Sequence, residues 1–231
     1  MVVIAAIVGY TAYKLEAGSS SPLTAQQKAN NAAVAAGCPA SPTARANTLQ
    51  WKSLPPMTIH RNGRYVAFVE TDLGPFTIAL DPKAAPVTVN SFIFLADHGY
   101  YKCNAFDRVI PTFMNQTGDP TGTTGGSPGY TIPDEFPKKA KNPSLQYPIG
   151  SVAMANISGK RNSGGAQFFI VAGSQGESLP NAYTLFGRVI SGLSVVEKIN
   201  ADGKPNVAGT QNTGQPPAVF HRILSITITG S

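Results

Sequence analysis

Between Phe106 and Asp119 the chain reads FDRVIPTFMNQTGD, and this stretch sets a cation, Arg108, close to two large apolar side chains, Phe113 and Met114, and an amide, Gln116. Phe106, Val109 and Ile110 are apolar and Pro111 breaks the run, so the stretch reads as two short strands joined by a turn. Alternation along a strand places Met114 and Gln116 on one face. An apolar floor beside a guanidinium and an amide suits a small ring attached to a polar backbone. Arg108 keeps its charge at any relevant pH and offers several donors. Its bland alternative is a surface salt bridge, and the neighbouring Phe113 and Met114 weigh against that.

Two further stretches complete a pattern: MAN at 154–156 and AQFFI at 166–170. In this order, with FDRVIPTFMNQTGD, they resemble the cyclophilins, which are peptidyl-prolyl cis-trans isomerases. The resemblance runs from about Tyr65 to the C-terminus, and with the N-terminal features described below it is similar to the membrane-anchored bacterial, actinobacterial type. It implies a mainly β fold, a closed eight-stranded antiparallel β-barrel capped by two α-helices. It implies an isomerase of X–Pro bonds that assists protein folding, with proline-containing peptides and unfolded proteins as partners and no cofactor. It also assigns roles. Phe113, Met114, Phe169 and Leu179 form the proline-ring pocket; Arg108 and Gln116 are catalytic; Gln116 and Asn156 hold the substrate backbone; Ala155 and Gln167 line the groove. Phe168, the other half of the FF pair, is left to the core.

Three positions depart from the family's usual pattern. Asp107 stands where many members have His, Ser178 falls at a pocket-rim position often held by Trp, and Tyr183 replaces a common His. The Tyr183 ring can still close the pocket. The missing Trp predicts weak cyclosporin binding. On a strand Asp107 and Arg108 point apart, so catalysis should survive the carboxylate.

The chemistry is undemanding in groups and demanding in geometry. An X–Pro bond isomerises unaided in tens to hundreds of seconds, which matches a barrier of about 20 kcal/mol. In the twisted state the proline nitrogen has lost its amide resonance. A donor aimed at that nitrogen stabilises the twisted state over both planar isomers, and Arg108 is the candidate. A non-catalytic proline-peptide-binding chaperone or scaffold is the competing reading, but a pure binder has no need of Arg108. A serine hydrolase fails for lack of a GxSxG elbow.

The elements that must position these residues read as follows. Residues 65–71 and 75–80 are strands with a turn at Gly74. A helix starts at Ala85-Pro86, with Val89, Phe92, Ile93 and Ala96 on its buried face, and ends by Gly99. Strands follow at 150–156, 167–171 and 183–189, a short helix at 194–200, and a closing strand at 219–229. The glycine-rich loop 118–129 fits neither phosphate-binding pattern; by the resemblance it wraps one side of the groove.

Composition narrows the rest. Only 13% of residues are charged, while Gly (23) and Pro (19) are frequent, which suits a turn-rich β protein. The net charge of +6 comes from scattered basic residues, and the densest group, Lys138, Lys139 and Lys141, sits among prolines with no aromatic platform, so nucleic acid is not expected. The three His are far apart and the two Cys form no CxxC pair, so no metal site is expected. Cys38 and Cys103 could pair or stay free. The chain is read as a monomer.

Ahead of the domain, which spans 58–231, lie two segments. Residues 1–17 begin with an apolar run, 1–9, too short to cross a bilayer. It is either a hydrophobic peptide of no consequence or the remnant of a transmembrane anchor, with Lys14 at the membrane exit. The second reading is favoured and places the domain outside the cytoplasm, in the cell envelope; a cytoplasmic location is the alternative. Residues 18–57 are rich in Ser, Ala, Asn, Pro and Thr, and read as a flexible linker, with a possible helix capped by Thr24 and Trp51 docking its end on the domain.

Overall fold

The computed structural model of the chain describes residues 21–205 and 216–231; the apolar run 1–9 and part of the polar loop after residue 200 lie outside them. In chain order the elements are α1 (Ala25–Ala35), β1 (Tyr65–Thr71), β2 (Gly74–Leu80), α2 (Pro86–Asp97), β3 (Arg108–Ile110), β4 (Met114–Thr117), β5 (Ser151–Met154), β6 (Phe168–Val171), α3 (Ser174–Glu177), β7 (Leu185–Ser191), α4 (Leu193–Ala201) and β8 (Ile223–Gly230). The strands form one antiparallel sheet in the order β3-β4-β6-β5-β7-β2-β1-β8.

The sheet curls without closing, which corrects the expected closed barrel. The two end strands, β3 and β8, are not laddered to each other. The chain just ahead of β3 joins them through a single bridge, Ala105 to Arg222. The N–H of Cys103 donates to Ile223 O (2.7 Å) and that of Phe106 to His221 O (2.9 Å). Cys103 has φ +66°, so extended backbone cannot run through it, and the pairing stops there.

Burial explains the strand patterns. In β1 and β2 alternate residues face inward, among them Ala67, Val69, Phe76 and Ile78. In β4, β5 and β6 every residue is buried, because these strands are covered on both faces. One face, with Val152, Met154, Phe168 and Ile170, joins the main core; the other, with Met114, Ala153, Phe169 and Val171, builds a second apolar cluster. Phe168 is core, as expected: its ring meets Phe92, Tyr101 and Phe186 edge-on.

The helices close the core from outside. In α2, Pro86 occupies the first turn and no side chain of its own caps the helix. Glu135 serves instead from a distant loop, accepting from the N–H groups of Val87 (3.0 Å) and Thr88 (2.8 Å), a carboxylate where the helix dipole favours one. From α4, Asn200 donates to Ile110 O (2.9 Å) and Asn115 Oδ1 (2.8 Å) and accepts from the N–H of Thr112 (2.9 Å). Buried amides so bonded lock the β3–β4 hairpin in place.

The expected flexible linker is not one over residues 24–57. Helix α1 has a full capping box, Thr24 with Gln27. Cys38 and Cys103 form a disulfide with Cα atoms 5.4 Å apart across 65 residues of sequence; a loop of that length restrains the unfolded chain by about 4 kcal/mol on the chain-entropy account. Arg222, only 1% exposed, donates to Pro39 O (2.5 Å) and Asn30 Oδ1 (3.3 Å). Trp51 docks as expected, its ring 5.1 Å from that of Phe94. Composition suggested disorder, but long-range bonds to the domain supply what the segment cannot bury by itself.

Candidate active site

Strand register assembles the site. Arg108 pairs with Gln116 across β3–β4, Gln116 with Phe169 across β4–β6, and Phe169 with Ala153 across β5–β6. Directly paired residues share a face, so a cation, an amide and an aromatic ring stand in one row across four strands. A second row, Ile110, Met114 and Val171, lies beside it. A slip of one residue would send all of them to the other face.

The row floors a cleft of about 550 Å³. Every residue assigned to the site from sequence lines it: Arg108, Phe113, Met114, Gln116, Ala155, Asn156, Gln167, Phe169, Leu179 and Tyr183. The apolar end is built from Phe113, Met114, Phe169, Leu179 and Tyr183, with the Tyr183 ring edge-on to Phe169 at 5.2 Å. Tyr147 was not anticipated. It is fully buried, and its hydroxyl donates to Tyr183 O (2.9 Å) and accepts from Tyr183 N–H (3.1 Å), fixing the segment that closes the pocket. A tyrosine in a Pro- and Lys-rich loop carries no signal of that role. Ser178 is exposed and does not line the cleft.

The polar end is a chain of amides. Arg108 Nη1 donates to Gln116 Oε1 (3.1 Å), Gln116 Nε2 to Gln167 Oε1 (3.0 Å), and Gln167 Nε2 to the carbonyls of Thr124 (2.9 Å) and Gly126 (3.0 Å). Arg108 Nε is buried with no acceptor among the described residues. Burial pulls the Arg108 pKa below its ordinary value, yet a guanidinium remains a cation at neutral pH. Asn156 spends its side chain on Ala182 O (2.8 Å), which leaves its backbone, at the cleft wall, to meet a ligand.

The loop 118–129 forms the opposite wall. Asp119 organises it, accepting from the N–H groups of Thr121 (2.7 Å), Thr123 (3.2 Å) and Gly126 (2.9 Å). Burial works against its charge, but these donors and the Thr121 hydroxyl outweigh it and hold the pKa below the usual carboxylate value. A Cβ at Gly126 would overlap the Asp119 carboxylate, so glycine is required there. Asp107 is buried under the same loop, with Oδ2 accepting from Thr124 N–H at 3.3 Å and Oδ1 unpartnered. It makes no ion pair with Arg108 among the described residues. Burial first, and then the Asp119 charge, push its pKa up to about 7.

Residues 65–228 match the family model of cyclophilin type peptidyl-prolyl cis-trans isomerase/CLD. Over 146 residues the chain is 43% identical to peptidyl-prolyl cis-trans isomerase-like 1 of Aspergillus niger, covering 61% of this chain and 86% of that protein. It is 36% identical over 151 residues to peptidyl-prolyl cis-trans isomerase CYP18-2 of Arabidopsis thaliana (64% and 84% covered). It is 35% identical over 184 residues to probable peptidyl-prolyl cis-trans isomerase B of Mycobacterium tuberculosis (71% and 57% covered). Among solved structures, a Cryptosporidium parvum cyclophilin type peptidyl-prolyl cis-trans isomerase, crystallised in the presence of the dipeptide Ala-Pro, superposes with a TM-score of 0.59 at 28% identity, covering 72% of this chain and 99% of that one.

Proposed function

This chain belongs to the cyclophilin-type peptidyl-prolyl cis-trans isomerases, and from that premise we propose how its cleft turns an X–Pro bond. The proline ring enters the apolar end between Phe113, Met114, Phe169 and Leu179. Burying an apolar ring there holds one side of the bond. Gln116 and the backbone of Asn156 hold the peptide on the other side, with Ala155 and Gln167 as the wall. One end then rotates while the other is fixed. As the bond twists, the proline nitrogen recovers its lone pair, and Arg108 donates to it. The planar isomers offer no such acceptor, so the interaction stabilises the twisted state selectively. The observation that carries this reading is the cross-strand row itself, which sets Arg108, with a buried unpartnered Nε, beside the apolar pocket.

Exchange spectroscopy on a short Xaa-Pro peptide tests it. Catalytic amounts of the full chain should bring cis/trans exchange into the accessible time range. Cyclosporin should inhibit only in large excess, because Ser178, which stands outside the cleft, supplies no indole where many family members place one at the rim. A chain that binds the peptide without accelerating exchange would be a scaffold.

We place the protein outside the cytoplasm, as a monomer of the cell envelope, with the run 1–9 as part of a membrane anchor. The Cys38–Cys103 disulfide supports the oxidising compartment. No helix among the described residues is long and apolar enough to cross a membrane. Alkylation at the moment of lysis should leave both cysteines unlabelled; labelled thiols would move the protein to a reducing compartment.

A further inference from the structure

Residues 38–51 cross the outer side of the groove wall as a strap. Ala46 N–H donates to Pro120 O (2.7 Å) and Trp51 N–H to Pro128 O (2.8 Å). Gln50 Nε2 reaches Ser127 O (3.4 Å). Contact is close enough that a Cβ at Gly129 would overlap the Trp51 carbonyl. Both ends of the strap are anchored to the domain. The disulfide and the Arg222 contact to Pro39 hold one end. The Trp51 ring holds the other, lodged against Phe94, His98 and Tyr100 with centroids 5.1, 5.8 and 6.0 Å away.

The inner side of the same loop faces the chemistry. Its carbonyls at Thr124 and Gly126 accept from Gln167, which is bonded to Gln116, which is bonded to Arg108. The strap's hydrogen bonds to the wall loop at Pro120, Ser127 and Pro128 are therefore linked, through the loop's covalent backbone, to the bonds that run from Thr124 and Gly126 through two glutamines to the guanidinium. Asp119 organises the glycine-rich backbone at 118–129 from within, while the strap on one side and Gln167 on the other set where the loop stands against the cleft.

We infer that the strap is a positioning element of the isomerase site, with Trp51 as its key residue: by fixing the wall loop it fixes the direction in which Arg108 donates. The inference rests on the proposed role of Arg108. Trp51 touches no substrate and contributes only through the loop, and misdirecting a donor by a fraction of an ångström costs rate while leaving the apolar pocket whole.

The test compares the full chain with Trp51→Ala, Trp51→Phe and the Cys38→Ser/Cys103→Ser double variant, well below their melting midpoints. Trp51→Ala should lower kcat/KM roughly tenfold, through kcat, with the affinity for an Ala-Pro dipeptide within about twofold of the parent. Trp51→Phe should recover most of the rate, and the serine double variant should fall in the same direction as Trp51→Ala. The Arg108 Nε–H resonance, which reports guanidinium orientation without turnover, should shift in Trp51→Ala. Unchanged kcat with an unmoved Arg108 signal overturns the inference, even if the melting midpoint falls. So does a parallel loss of dipeptide affinity, since the strap would then be shaping the pocket and not the donor. A parent without catalysis refutes the role of Arg108 on its own, and the resonance shift still decides whether the strap positions it.

Discussion

Replacing Arg108 by Ala should cut kcat/KM for a short Xaa-Pro peptide by about 10²- to 10³-fold, the loss typical of removing one preorganised donor. The loss should lie in kcat, because a donor used only in the twisted state adds nothing to ground-state binding. Peptide affinity should stay within a few-fold, since Phe113, Met114 and Phe169 are untouched. Unfolding cannot imitate this result. The guanidinium is partly buried, its Nε has no partner, and its hydrogen-bond neighbours are a neutral amide and a thioether, Met114 Sδ at 4.0 Å, with Asp107 acting on it through space. Below about pH 7, where Asp107 keeps its proton, removing a cation held that way relieves desolvation, so there the melting midpoint should hold or rise. Arg108→Lys should recover only part of the rate: the ammonium is a point charge and cannot reproduce the planar fork that bonds Gln116 and the substrate together. A kcat within tenfold of the parent in Arg108→Ala would move the catalytic role elsewhere in the cleft.

How far the sequence reached depends on where each signal resides. The site was legible because most of its residues lie at strand spacing in three short motifs, with Leu179 and Tyr183 placed beside them by the family resemblance. The register that aligns Arg108, Gln116 and Phe169 follows from the β3–β4 turn and from alternation along β4 and β6. Closure of the sheet was not legible. It turns on a backbone φ at Cys103 and on one bridge between Ala105 and Arg222, and neither residue type announces it. The strap was misread for a related reason. Its composition cannot support a core, but a disulfide, a buried arginine on a backbone carbonyl and one indole need no local hydrophobic pattern. Asp107 shows the same limit at a single residue. Sequence gave its neighbour, Arg108, whereas its electrostatics come from burial and from Asp119, which a glycine-rich turn brings close.

That environment makes the second large prediction one of pH. Asp107 has a folded pKa of about 7 against an ordinary 3.8, so between those values the folded chain holds a proton that the unfolded chain has released. Stability therefore falls as pH rises from about 4 to about 7 and levels off above, at about 1.4 kcal/mol per unit and up to about 4 kcal/mol in all. Asp107→Asn abolishes the titration, so the variant's advantage in urea midpoint should grow through that window and then stay constant. The difference between the two proteins isolates Asp107. Asp119, whose pKa is lowered, contributes stability that is lost only at more acid pH, as pH falls through its folded value. His221 is held between Asp72 and Asp202; burial works against its charge, but these carboxylates outweigh it and raise its pKa, so its contribution is complete below about 6.5 and lost as pH rises through a higher value. Both are the same in parent and variant and cancel. A pH-independent difference would mean that Asp107 ionises as an ordinary carboxylate. The two predictions also meet. Arg108 is the cation that favours ionised Asp107, so in Arg108→Ala the fall in stability should extend to higher pH, while Asp107→Asn should leave the catalytic loss from Arg108→Ala undiminished.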